Sequence, residues 1–111
     1  MPSADRLRAT TLLTTALLVA ATGASGQDDP AALSRAAGCG MCHHAENAML
    51  GPSWQAIAER YRGDEGAAGL LAQRVREGSK GVWGEAMMMP TPEEKLSDGE
   101  LASVIGWILN R

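Results

Sequence analysis

The chain has 111 residues, a formal net charge of −3, 45% apolar residues and only 4% aromatic ones, with no Phe. That acidic balance argues against nucleic-acid binding, which calls for a basic patch, and two Cys exclude a dense disulfide framework. With aromatic volume limited to Trp54, Tyr61, Trp83 and Trp107, something other than large rings is expected to fill the interior.

Residues 1–26 read as a secretory signal peptide. Arg6 and Arg8 form a basic n-region, Leu12–Ala21 an apolar stretch, and small residues follow to Gly26. The apolar run falls short of the ~20 residues a membrane-spanning helix needs, which weighs against a retained anchor. Cleavage is expected between Ala24 and Asp28. Residues 27–111 then form one domain, and loss of Asp5, Arg6 and Arg8 takes the formal charge from −3 to −4. A domain of about 85 residues has a marginal core, and natural ones usually add a disulfide, a metal or a cofactor.

Four helices are expected in that domain, with no strand-like alternation. The first starts at Asp29-Pro30, an N-cap followed by proline at the first helical position, and runs through Leu33 and Ala36-Ala37 towards Cys39. The second begins after Gly51-Pro52, with Ser53 as cap and Trp54, Ile57, Ala58 and Tyr61 on one face. A break at Gly63–Gly66 precedes the third, which carries Leu70, Leu71, Arg74 and Val75 and stops at Gly78. Ser79–Lys95, with Gly81, Gly84, Pro90 and Pro92, reads as a long loop, and structureless loops of that length are usually functional. The last helix opens on a capping box, Ser97 and Glu100, followed by Leu101, Val104, Ile105 and Ile108 at helical spacing. The fold class is all-α.

Chemistry concentrates in Cys39-Gly40-Met41-Cys42-His43, the C-x-x-C-H pattern of c-type haem attachment. Two thiols three positions apart reach the two vinyl groups of one porphyrin, and His43 is then placed to ligate the iron. Three other readings compete. A thiol–disulfide centre usually sits in a βαβ setting, and no strands are expected. A zinc site needs further ligands, and only His43 and the adjacent His44 are available. A structural disulfide leaves the histidine and Met87-Met88-Met89 unexplained. Methionine is ordinarily core filler, but three in succession inside a Gly/Pro loop do not make a helical stripe. Met is also the common second axial ligand of electron-transfer haem.

Residues Cys39–Trp107 resemble the small bacterial class I cytochromes c that donate electrons to nitrite reductases or terminal oxidases. The resemblance rests on CGMCH, on Met49-Leu50-Gly51-Pro52, on Gly81-Val82-Trp83-Gly84 followed by Met and Pro, and on the final helix ending near Trp107. It implies a small cytochrome c fold of about four helices wrapped around one covalent haem c, held through Cys39 and Cys42. It implies His43 and Met88 as iron ligands, Met88 standing five positions after Trp83, with Met89 the alternative. It further implies that the Pro52 carbonyl orients His43, and that Arg74 and Trp83 hydrogen-bond a propionate. Met49, Leu50, Trp54, Tyr61 and Trp107 are expected to pack, and His44 to be exposed. Two departures concern the ligand loop: Met87 stands where proline is frequent, and Pro92–Lys95 reads as an insertion.

The expected protein is a soluble periplasmic monohaem carrier of single electrons, a monomer without stable membrane insertion after signal cleavage, and not an enzyme. Its expected partners are redox proteins, with a cytochrome bc1 complex as donor and a nitrite reductase or oxidase as acceptor. The alternatives are a gas sensor or peroxidase-like protein with a labile Met ligand, and a haem-free dithiol protein.

Overall fold

A computed structural model describes residues 29–111; the signal peptide expected at 1–26 lies outside the described residues. Helix α1, Pro30–Ala36, begins where Asp29 Oδ2 accepts from the Ala32 N–H at 3.3 Å and Pro30 fills a position whose N–H would have no partner. It ends earlier than its sequence suggests, because Gly38 turns to φ 87° and the chain restarts as a 3₁₀ turn over Cys39–Met41. Helix α2, Trp54–Tyr61, is capped by Ser53 Oγ, which accepts from the Ala56 N–H at 3.0 Å. Helix α3, Ala67–Glu77, stops at Gly78 (φ 78°). Helix α4, Asp98–Leu109, carries the reciprocal Ser97–Glu100 capping box, with both bonds at 3.3 Å.

The core forms where α4 packs against α1, α2 and α3. Leu101, Val104, Ile105 and Ile108 of α4 meet Leu33, Trp54, Ile57, Tyr61 and Ala67, all buried. This apolar stripe repeats every three to four residues, so one face of α4 is covered along its length. The most completely enclosed large side chain is Leu96, 1% exposed, which precedes α4 and has no periodic pattern around it. It is seated by a tight turn in which the Lys95 and Leu96 N–H groups both donate to Pro92 O, at 3.0 and 3.3 Å. The stretch Pro92–Lys95 therefore turns the chain so that Leu96 enters the core.

Ser79–Lys95 departs from the expected irregular loop. Strands β1, Ser79–Lys80, and β2, Met87–Met88, pair antiparallel with Ser79 opposite Met88 and Lys80 opposite Met87. Two residues per strand are too few for alternation to show in sequence. Beyond β2 the Thr91 N–H donates to Val75 O at 2.8 Å, and Arg76 Nη1–H donates to Thr91 O at 3.2 Å. The methionine segment is thus held by β1 on one side and by the end of α3 on the other. Met49 and Leu50, expected to pack, are 54% and 74% exposed. The backbone explains it: Gly51 N–H donates to Cys42 O at 2.8 Å and Met49 N–H to Gly51 O at 3.0 Å, which draws the main chain inward and leaves both side chains on the rim.

Candidate functional site

Cys39 and Cys42 leave the 3₁₀ turn on the same side of the chain, since the Cys42 and His43 N–H groups both donate to Cys39 O, at 3.1 and 3.0 Å. Both thiols are free and half-buried. Burial pushes the Cys39 thiol up, with the neighbouring Cys42 adding to the effect and a local backbone hydrogen bond opposing it.

The imidazole of His43 is fixed from three directions. Its Nδ1 lies 2.7 Å from Pro52 O; a carbonyl only accepts, so Nδ1 carries the proton and Nε2 presents its lone pair. Trp54, expected only to pack, stacks on the ring with centroids 4.5 Å apart and planes 18° from parallel. Trp107 braces Trp54 edge-on at 5.8 Å. On the third side stands Gly51, where a Cβ would lie 2.7 Å from His43 Cε1 and 3.0 Å from Nδ1. The imidazole occupies the space a side chain would fill. Gly51→Ala is accordingly expected to displace the ring and break its bond to Pro52, costing about 1–3 kcal/mol as overpacking does. Thermal unfolding and the ligand-field spectrum of the haem-loaded variant check this.

Cys39, Cys42, His43, Pro52, Arg74, Trp83 and Met88 all line one cavity of about 380 Å³, with Trp54, Leu71 and Val75 completing apolar walls. The two thiols and the imidazole come from the 3₁₀ turn and the two residues after it. Arg74 comes from α3, Trp83 from the turn between β1 and β2, and Met88 from β2. Its charged lining residues, among those described, are Arg74 and Lys95, both cations. Arg74 is engaged by Tyr61, whose Oη accepts from Arg74 Nη1 at 2.5 Å. Tyr61 thus does more than pack, since its hydroxyl orients a guanidinium that lines the cavity. Of the three successive methionines, Met88 is half-buried while Met87 and Met89 are 65% and 68% exposed. The pleat of β2 turns neighbouring side chains to opposite sides. His44 is exposed, and its Nδ1 accepts from the Glu46 and Asn47 N–H groups at 3.3 and 3.4 Å.

The donor set fits a c-type haem: two thiols three positions apart, an imidazole with its proton on the far nitrogen, a thioether and two cations for carboxylates, around an apolar cavity. Among the described residues no cluster of three or more His, Cys, Asp or Glu could hold a metal ion, which weighs against the zinc reading.

Comparison with known proteins agrees with that chemistry. The family model for cytochrome c matches residues 28–111. The chain belongs to the cytochrome c family. It is 50% identical over 80 residues to cytochrome c2 of Rubrivivax gelatinosus, covering 72% of this chain and 94% of that protein. It is 37% identical over 84 residues to cytochrome c-551 of Pseudomonas aeruginosa, covering 76% of this chain and 78% of that one. The crystal structure of Nitrosomonas europaea cytochrome c552 matches with a TM-score of 0.66 at 35% identity, over 71% of this chain and 95% of that one. As a cytochrome c, the protein carries one covalent haem through Cys39 and Cys42 and exchanges electrons with redox partner proteins. No helix among the described residues is long and apolar enough to cross a membrane.

Proposed function

We propose that this cytochrome c is exported to the periplasm, its signal peptide removed, and acts there as a monomeric one-electron carrier with His43 and Met88 as axial ligands. The haem supplies the Fe(III)/Fe(II) couple. The observation that carries the reading is the meeting of His43, held through Nδ1 by Pro52 at 2.7 Å, and half-buried Met88 on one cavity. The Pro52 carbonyl orients the imidazole and raises its basicity, as outer-shell acceptors do. Met88 contributes a weak thioether donor, which favours the ferrous state and raises the potential. With His43 and Met88 both holding the iron, the haem would offer no free position to a substrate, and the site would transfer electrons rather than transform a ligand. Leu71, Val75 and Ile105 wall the cavity against water and penalise the extra positive charge of the oxidised state. Arg74 and the Trp83 indole N–H hold a propionate.

A cytochrome bc1 complex is the proposed donor, and a nitrite reductase or terminal oxidase the proposed acceptor. Encounters with them are expected to be small and transient, as redox complexes are. Exposed Met41 (77%), Leu50 (74%) and Met87 (65%) around the cavity offer an apolar rim for such contacts.

The test is the absorption spectrum of protein produced in a host with cytochrome c maturation machinery. A covalent haem, a low-spin reduced spectrum and a far-red sulfur-to-iron band in the oxidised protein are expected. Covalent haem without that band would overturn Met ligation. Cys39→Ala or Cys42→Ala is expected to leave one thioether or to prevent maturation, read by haem extraction into acidified organic solvent.

A further inference from the structure

The turn 81–86 brings Trp83 to the cavity, yet among the described residues no backbone hydrogen bond ties it to another element. Gly81 and Gly84, at φ 77° and 72°, flank Val82 and Trp83 within it. The tie comes from a side chain on α2, 22 residues earlier: Arg60 Nη1–H donates to Val82 O at 2.8 Å. The same guanidinium lies over the Trp83 ring, Cζ 4.5 Å from its centroid, and 5.7 Å from the Tyr61 centroid. Arg60 is otherwise an exposed helix residue of a type that loses rotamer freedom when held in one geometry. A guanidinium is suited to this double contact. Its edge donates in plane to a carbonyl while its face stacks on an indole, which a lysine ammonium cannot do.

We propose that Arg60 is a positioning residue: by gripping Val82 and Trp83 together it holds the 81–86 turn over the cavity and fixes the direction of the Trp83 indole N–H. The proposal rests on the reading above in which that N–H meets a haem propionate. It acts through Trp83 and touches no reacting atom. Arg74 and Tyr61 form the adjoining pair, so the propionate side of the cavity would be set by two arginines, one lining it and one clamping its tryptophan.

The experiment uses the haem-loaded protein in the diamagnetic reduced state. Hydrogen exchange of the Trp83 indole N–H is followed by NMR, with Trp107 as internal reference. The pH profile of the reduction potential is measured alongside. Arg60→Gln is expected to speed Trp83 exchange by roughly fivefold or more, to leave Trp107 unchanged and to move the pH profile. Arg60→Lys, which keeps the charge but lacks the planar fork, is expected to fall between the two in exchange. Unchanged Trp83 exchange in Arg60→Gln overturns the proposal, as does equal acceleration at Trp83 and Trp107, the mark of general loosening. A separate variant isolates the reading beneath it: if Trp83→Phe leaves the pH profile unmoved, the propionate role of Trp83 falls, whatever the clamp does.

Discussion

Replacing Met88 by Ala is expected to abolish the far-red band, to open the iron to carbon monoxide and imidazole, and to lower the reduction potential. The expected drop is on the order of 0.1 V or more, within the ~0.8 V range that axial ligation spans. Met89→Ala is expected to leave all three readouts nearly intact. The contrast follows from burial and from the place of Met88 in β2. Met88 is half-buried opposite Ser79, while Met87 and Met89 are 65% and 68% exposed. All three side chains touch the cavity, so proximity alone does not separate them. What separates them is cost. Met89 lies beyond β2 and would have to turn a largely exposed side chain into the cavity, whereas Met88 is already half-buried there. Redox titration and carbon monoxide binding to the two ferrous variants decide the matter. The reverse pattern would move the ligand to Met89 and leave the rest of the site in place.

The second large effect is expected at Gly78. At φ 78° and ψ 174° it occupies a backbone region open almost only to glycine, where another residue costs about 1–3 kcal/mol. An added Cβ would also stand 2.6 Å from Met88 O and 3.1 Å from Pro90 Cδ. The near atom is backbone, so relief requires the methionine segment itself to move. Gly78→Ala is therefore expected to destabilise by roughly 3 kcal/mol, lowering the melting temperature by about 10–20 °C for a domain of this size. It should also weaken the far-red band, because the displaced carbonyl belongs to Met88. Gly63 provides the control: its φ is 79°, but a Cβ there would meet nothing within 4 Å. Gly63→Ala should show a smaller drop from strain alone and an unaltered band. Thermal unfolding of both haem-loaded variants, with spectra at 20 °C, tests the difference; equal behaviour would mean that the close approach of Gly78 to Met88 has no bearing on the ligand.

These two expectations differ in how they could be reached. The candidacy of Met88 was readable from the methionine run and from family spacing after Trp83. The role of Gly78 was not: in sequence it ends a helix, and its proximity to the Met88 carbonyl exists only once β1 and β2 pair. Tyr61 and Trp54 tell the same story. Their helical spacing correctly put them on the inner face of α2, but a period cannot say which neighbour an inner residue meets. Tyr61 orients Arg74, and Trp54 flanks His43. Leu96 is buried with no pattern at all, since a turn rather than a helix face delivers it.

What the sequence determined by itself is what local covalent and hydrogen-bonding rules govern. The C-x-x-C-H spacing placed two thiols and an imidazole together, and the caps at Asp29, Ser53 and Ser97 set where three helices begin, because each depends on residues no more than four apart. The apolar repeat of α4 likewise needed no partner to be recognised. What only the tertiary structure decided is how distant segments close on the cavity. Tyr61 is 13 residues from Arg74, and Arg60 is 22 from Val82. Such contacts arise from how the helices pack against α4, and packing a chain into one core depends on every element at once. A short stretch of sequence records the propensity of its own residues, while the partner across the cavity is chosen by the fold.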